Sequence, residues 1–213
     1  MELFYKEFSR GTTASIKKKN NIVYKKYFVD TPISMKVDKE LFDILKEINH
    51  KNFLSLLKIR IINDYVVGYT YKYVKSDDIK ITEKDTSYTL DNLRDLEKLV
   101  DIFNQSKILM CDTHAFNMIT QKDNIVIIDP DSYQIDNKRS YEDFVLGNKI
   151  RLLSYIKNLY VNCCKKYDED YYLAILKIFN IDLRNNLSLS NELSKRLTYK
   201  KPIDAIKKIK KSI

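Results

Sequence analysis

The sequence predicts a mixed α+β fold in two parts, and three observations carry that prediction. Up to Val74 the chain reads as short strands with one helix among them. From Leu90 onward it reads as helices interrupted by one small hairpin. Strands and helices are thus segregated along the chain, without the strict βαβ alternation of a doubly wound sheet.

The elements follow in order. Leu3 to Phe8 and Ser15 to Lys18 are short strand candidates on either side of Gly11, and Asn21 to Phe28 is rich in Val, Ile, Tyr and Phe. Asp38 to Ile48 changes period: Leu41, Ile44, Leu45 and Ile48 fall at helical spacing, with Asp38 placed to cap the start. Leu54 to Ile62 and Tyr65 to Val74 form a hairpin pattern across Asn63-Asp64. Ser76 to Ser87 is polar and charged, which suits a linker between two lobes. Leu90 to Ser106 is helical, with Leu93, Leu96, Val100 and Phe103 on one stripe. Phe116 to Thr120 and Ile125 to Asp129 then flank the polar turn from Gln121 to Asn124. Phe144 to Tyr160, Tyr171 to Phe179 and the lysine-rich Pro202 to Ile213 complete the helical set.

Composition narrows the function classes. A chain of 213 residues, 44% hydrophobic and 31% charged, can bury a core, which excludes a disordered polymer. Only three glycines and three prolines argue against a turn-rich β-sandwich. The surplus of 38 Lys and Arg over 29 Asp and Glu gives +9, which favours anionic partners. Cys111, Cys163 and Cys164 include no C-x-x-C pair, and His50 lies far from His114, so no structural zinc site is expected. Cys163 and Cys164 fall at helical core positions. The start MELFYKEF lacks a hydrophobic leader, and no apolar run approaches a membrane span, so a reduced, cytoplasmic protein is expected.

The feature richest in chemistry is Asp112-Thr113-His114-Ala115-Phe116-Asn117, followed by the hairpin and Ile128-Asp129-Pro130-Asp131. Two carboxylates and an amide converge at one hairpin. Phosphoryl transfer needs such a set: one carboxylate for the attacking hydroxyl, an amide oxygen and a second carboxylate for a hard cation. The same residue types also suit ordinary turns.

This stretch resembles the protein-kinase-like superfamily. Asp112 to Asn117 matches the D-x-x-x-x-N part of the catalytic loop, and Asp129 matches the Asp of D-F-G. The histidine and arginine before the catalytic Asp are here Met110-Cys111, and F-G is Pro130-Asp131. The D-x-H-x-x-N pattern is similar to aminoglycoside and choline kinases, and Asp129 to Gln134 is similar to a divergent group of bacterial kinase-like proteins. The resemblance implies Asp112 as catalytic base or orienting carboxylate, His114 as a helper of the loop, and Asn117 and Asp129 as ligands of Mg²⁺.

It also implies the upstream parts. Lys25 would be the strand lysine that meets the ATP phosphates, with Lys26 the alternative, and Val23 would lie against adenine. Leu45 to Phe53 resembles the end of the kinase αC helix and its H-P-N-I turn, with Lys51 in place of proline. Glu40 is then either the ion-pair partner of Lys25 or a solvated first-turn glutamate. Gly11, between the first strands, is either a phosphate-loop glycine or a hairpin-turn residue. Lys72, Tyr73 and Val74 occupy the hinge that bonds the adenine edge.

The resemblance thus implies a two-lobed fold: 1–75 as an N-lobe with a small antiparallel sheet and one helix, 76–87 as linker, and 88–213 as a compact helical C-lobe. The function it implies is an ATP- and Mg²⁺-dependent kinase acting on a hydroxyl of a protein or small molecule. A pseudokinase that keeps the nucleotide site is the alternative. A basic nucleic-acid-binding protein explains the charge but not the Asp-Asn-Asp set. The basic tail from Lys200 to Lys211, with six lysines around Ile203, Ile206 and Ile209, reads as packed on one face and solvated on the other.

Overall fold

A computed structural model of the chain describes residues 6–77, 83–113, 117–163, 170, 173–174, 188–196 and 199–212. The fold is mixed α+β, with a five-stranded antiparallel sheet and five α-helices among the described residues. The sheet comprises β1 (Lys6–Arg10), β2 (Ala14–Lys19), β3 (Ile22–Tyr27), β4 (Leu56–Ile62) and β5 (Tyr65–Lys72), in the order β1-β2-β3-β5-β4. Alternation along β3 buries Val23, Lys25 and Tyr27 and leaves Ile22 and Lys26 exposed. Asn63 and Asp64, both at positive φ, close the β4–β5 hairpin with the left-handed pair such two-residue turns require.

Helix α1 (Lys39–Glu47) crosses between β3 and β4, its first turn capped by the Asp38 carboxylate, which accepts from Leu41 N–H at 2.7 Å. It buries Leu41, Phe42 and Leu45. Helix α2 (Thr86–Gln105) starts four residues before the expected Leu90 because Asp85 caps it, accepting from Tyr88 N–H at 2.7 Å. The end of the expected linker is therefore helix. Leu93, Leu96, Val100 and Phe103 are buried as the spacing predicts.

Two small antiparallel ladders follow. β6 (Ile108–Leu109) pairs with β9 (Gln134–Ile135), and β7 (Met118–Gln121) pairs with β8 (Asn124–Ile127). The second is the expected hairpin, shortened at its exit because Asp129 takes φ 59° and leaves the strand conformation. The first has too short a run to show in the sequence. β4 starts two residues later than expected because Phe53 and Leu54 turn to β8 instead, Leu54 N–H donating to Ile127 O at 3.2 Å.

Helix α3 (Tyr141–Cys163) begins three residues before the expected Phe144, with the Ser140 hydroxyl accepting from Asp143 N–H at 3.2 Å. Helix α4 (Leu189–Arg196), which sequence reading did not separate, docks on α2. There the Glu97 carboxylate accepts from Leu189 N–H and from the hydroxyls of Ser188 and Ser190. Helix α5 (Pro202–Lys210) buries Ala205 and Ile206 and leaves Lys207 and Lys208 exposed, as its pattern predicts. Apart from the helical residues 173–174, the helix expected at Tyr171 to Phe179 lies outside the described residues, as do Cys164 and the side chain of Cys163. One core runs from Ala14 and Tyr27 through α1 and α2 to α3 and α5. No described helix is long and apolar enough to cross a membrane.

Candidate functional site

The site forms where β3 faces the exit of the β7–β8 hairpin. Lys25 is 6% exposed, although it is a lysine in a strand. A buried ammonium needs paired carboxylates, and two meet it: its Nζ lies 2.5 Å from Asp129 Oδ1 and 2.9 Å from Asp131 Oδ2. Lys26, one residue on, is exposed. Burial opposes the charge of Lys25, but Asp131 and Asp129 outweigh it and hold the ammonium above its ordinary value.

Asp131 is itself 7% exposed, and its Oδ1 accepts from the Tyr69 hydroxyl at 2.7 Å. Burial pushes its carboxyl up to about 6 against the pull of Lys25, and the neighbouring Asp129 adds to the rise. Tyr69 stands directly opposite Lys25 in the β3–β5 ladder. Its own phenol is driven far above its ordinary value, first by burial and then by Asp131.

Gly68 adjoins this pair. Its φ is 153°, and a Cβ there would stand 2.1 Å from the carbonyl oxygen of Lys25. Only glycine lets β5 approach β3 at this level.

Across the gap lies the loop after β6. Asp112 has φ 52°, a left-handed conformation that Asp and Asn adopt more readily than other side chains. Asn117 is buried, and its Nδ2 donates to the Asp112 backbone carbonyl at 3.0 Å and lies 3.5 Å from Asp112 Oδ2. With the amide nitrogen so engaged, the Asn117 carbonyl oxygen is the group left for a ligand. His114 lies outside the described residues.

The loop is held from behind by Asn148, fully buried in α3. Its Oδ1 accepts from Met110 N–H at 2.8 Å, and its Nδ2 donates to Asn104 Oδ1 and Ile108 O. Cys111 is half-buried, and burial pushes its thiol up despite Arg151 nearby, which does not suit a reactive thiolate.

Lys25, Asp112, Asn117, Asp129 and Asp131 line one cavity of about 560 Å³, together with Gly11, Thr12, Thr13 and Ala14 from the β1–β2 turn. Gly11 N–H donates to Ala14 O at 2.9 Å, so the turn is a closed hairpin turn as well as a cavity wall. Three carboxylates and one ammonium line this cavity, leaving excess negative charge. That excess suits a divalent cation carried with an anionic ligand. Among the described residues no three His, Cys, Asp or Glu side chains converge as a ready-made metal cage. Mg²⁺ seldom has one, since it takes one or two protein oxygens and completes its shell with phosphates and water.

The expected contact of Glu40 with Lys25 is not formed. Glu40 is exposed on α1 and does not meet Lys25, whose carboxylates come from the hairpin exit instead; the buried face of α1 belongs to Leu41, Phe42 and Leu45. At the hinge position, Lys72 N–H already donates to Ser55 O and Tyr73 N–H to Asn21 O, each at 3.0 Å. Val74, half-buried against the core, is the remaining candidate donor for an adenine edge. Sequence reasoning missed Asp131, Tyr69, Gly68 and Asn148. A second Asp two residues after Asp129 was the available signal for the first of these.

Among solved structures, the chain is similar to the Legionella pneumophila Lpg2603 kinase bound to IP6, with a TM-score of 0.51 and 15% identity over 90% of this chain and 80% of that one. At that identity the likeness is one of fold, and the fold is kinase-like. No family model matches the chain, and no curated protein matches it in sequence.

Proposed function

We propose that the chain is an ATP- and Mg²⁺-dependent phosphotransferase that moves the γ-phosphate to a hydroxyl of a protein or small molecule. The observation that carries this reading is Lys25, buried on β3 and ion-paired with Asp129 at 2.5 Å, on a cavity that also presents Asp112 and Asn117. A surface lysine would not be spent this way. The kinase-like fold supports it independently. On this reading 1–75 form the N-lobe, 76–87 the linker and 88–213 the helical lobe, with the cavity between the lobes.

Lys25 holds the phosphates, and the β1–β2 turn at Gly11 to Ala14 covers them with backbone N–H groups. Asp129 and the Asn117 carbonyl oxygen hold the cation. A Mg²⁺ held there would supply positive charge against the negative charge that develops in transfer. Asp112 orients the acceptor hydroxyl and takes its proton as the new P–O bond forms and the bond to ADP breaks.

The test compares wild type with Asp112→Asn and Asp129→Asn in ATP turnover and autophosphorylation with Mg²⁺. Asp129→Asn is expected to abolish turnover with the fold intact. Asp112→Asn is expected to keep ATP binding and lose about 10²–10⁴-fold in rate. A nucleotide-binding scaffold without transfer is the second reading, favoured by the engaged N–H groups of Lys72 and Tyr73. Equal residual signal in all three proteins would establish it over the first.

A further inference from the structure

We infer that Asp131, rather than a carboxylate of α1, is the positioning residue for Lys25, so that the lysine anchor and the cation-side Asp129 form one unit independent of α1. This rests on the nucleotide site proposed above. In kinases the strand lysine is held by a glutamate on the helix next to the sheet, and movement of that helix switches the site. Here the helix residue nearest that place in sequence, Glu40, is exposed and does not contact Lys25. Asp131 supplies the carboxylate instead, at 2.9 Å.

The two aspartates divide the work by their surroundings. Both oxygens of Asp131 are engaged, one by Lys25 and one by Tyr69, and its side chain is 8% exposed. The Asp129 side chain is 37% exposed and faces the cavity. Asp131 is therefore built into the sheet, whereas Asp129 keeps an approach for a cation. Lys25 and Tyr69 are cross-strand neighbours, so two strands grip the same carboxylate. Pro130 links the two aspartates with a fixed φ, and Tyr133 N–H closes a turn on Pro130 O at 3.0 Å. A segment of this kind carries Asp129 and Asp131 together. Lys25 is held in place whatever α1 does, and the site stands assembled in the resting chain.

The experiment uses the full chain and two readouts. The first needs no nucleotide: a double-mutant cycle of Lys25→Met and Asp131→Asn on urea stability. Each single variant is expected to destabilise, and the double by clearly less than their sum, because Lys25→Met leaves the buried Asp131 without its cation and Asp131→Asn leaves the buried ammonium with Asp129 alone. Additive losses overturn the pairing. The second is calorimetric binding of ATP with Mg²⁺, with KM and kcat for turnover. Asp131→Asn is expected to weaken ATP binding and raise KM by about ten- to a hundredfold, the range for an unmatched buried polar group, with a smaller change in kcat. Tyr69→Phe, which keeps the packing, is expected to shift affinity in the same direction by a few-fold and stands in if Asp131→Asn fails to fold. Glu40→Gln is expected to leave both readouts unchanged. Weakened binding in Glu40→Gln beside wild-type affinity in Asp131→Asn or Tyr69→Phe overturns the inference. Absence of ATP binding in wild type overturns the nucleotide reading alone, and the ligand-free cycle still decides the pairing.

Discussion

Two glycines at the site make opposite demands, and they separate structural from ligand-directed constraint. A Cβ on Gly68 would meet the backbone oxygen of Lys25 at 2.1 Å, and backbone cannot swing aside as a side chain can. Gly68→Ala is expected to cost about 2–3 kcal/mol in urea unfolding and to weaken ATP binding by displacing Lys25. A Cβ on Gly11 would meet only Ala14 O at an ordinary 3.6 Å. Gly11→Ala should therefore stay within about 0.5 kcal/mol of wild type in unfolding. If backbone N–H groups there approach a phosphate, it should still lower ATP affinity. Loss of stability in Gly11→Ala would show that the turn, rather than a ligand, requires the glycine. The four residues Lys25, Asp112, Asn117 and Asp129 were legible because their chemistry is local: fixed spacing around a hairpin, or a lysine within an apolar strand. Asp131, Tyr69 and Gly68 owe their roles to partners far along the chain, 62 residues apart for Tyr69 and Asp131. No local pattern reports such a contact for Tyr69 or Gly68, and for Asp131 the one local signal is its place two residues after Asp129.

Between elements, the hairpin and the loop that precedes it are each fastened by a buried asparagine, Asn52 and Asn148. Asn52, fully buried, donates to Asn124 Oδ1 and Ile125 O, each at 2.7 Å, while Ile127 N–H returns a bond to Asn52 O. Asn52 N–H in turn donates to His50 Nδ1 at 3.3 Å, which requires a neutral ring. Burial lowers the His50 value, with Lys51 adding to the effect against Asp95. A lowered native value means the unfolded chain binds the proton first. The contribution is therefore present above the ordinary value of about 6.5 and lost as pH falls below it. Melting temperature should decline modestly on that acid side, and less so in His50→Ala; equal slopes would remove His50 from the joint. At the loop, Asn148→Ala would orphan Met110 N–H and free Asn104, at an expected cost of about 2–4 kcal/mol in urea unfolding. Element types were legible from period and capping residues such as Asp38 for the five-stranded sheet, α1 to α3 and α5, but not for α4. Boundaries slipped where caps lay in polar stretches, as at Asp85 and Ser140, and two-residue strands carry no period to read.

At the scale of the molecule, net charge and local charge have opposite signs. The chain carries +9, yet the cavity gathers Asp112, Asp129 and Asp131 around a single Lys25. The positive surplus lies elsewhere, as on the exposed lysines of α5 and the strand lysines Lys17, Lys26 and Lys58. On the proposed function, global charge would draw an anionic nucleotide toward the surface, but the carboxylates at the cavity would repel its phosphates unless a cation came with it. Nucleotide and cation should therefore bind as a pair. ATP with Mg²⁺ at about 100 times its Kd should stabilise the fold by about 2.7 kcal/mol, a rise of roughly 5–11 °C for a chain of this size. ATP in the presence of a chelator should give little shift, and Mg²⁺ alone little as well, since no described cage awaits it. Asp129→Asn should erase most of the paired effect, because it removes the carboxylate best placed to meet the cation. An equal rise with ATP and chelator would mean that Lys25 and the β1–β2 turn hold the phosphates unaided, and that the acidic residues serve the acceptor rather than the metal.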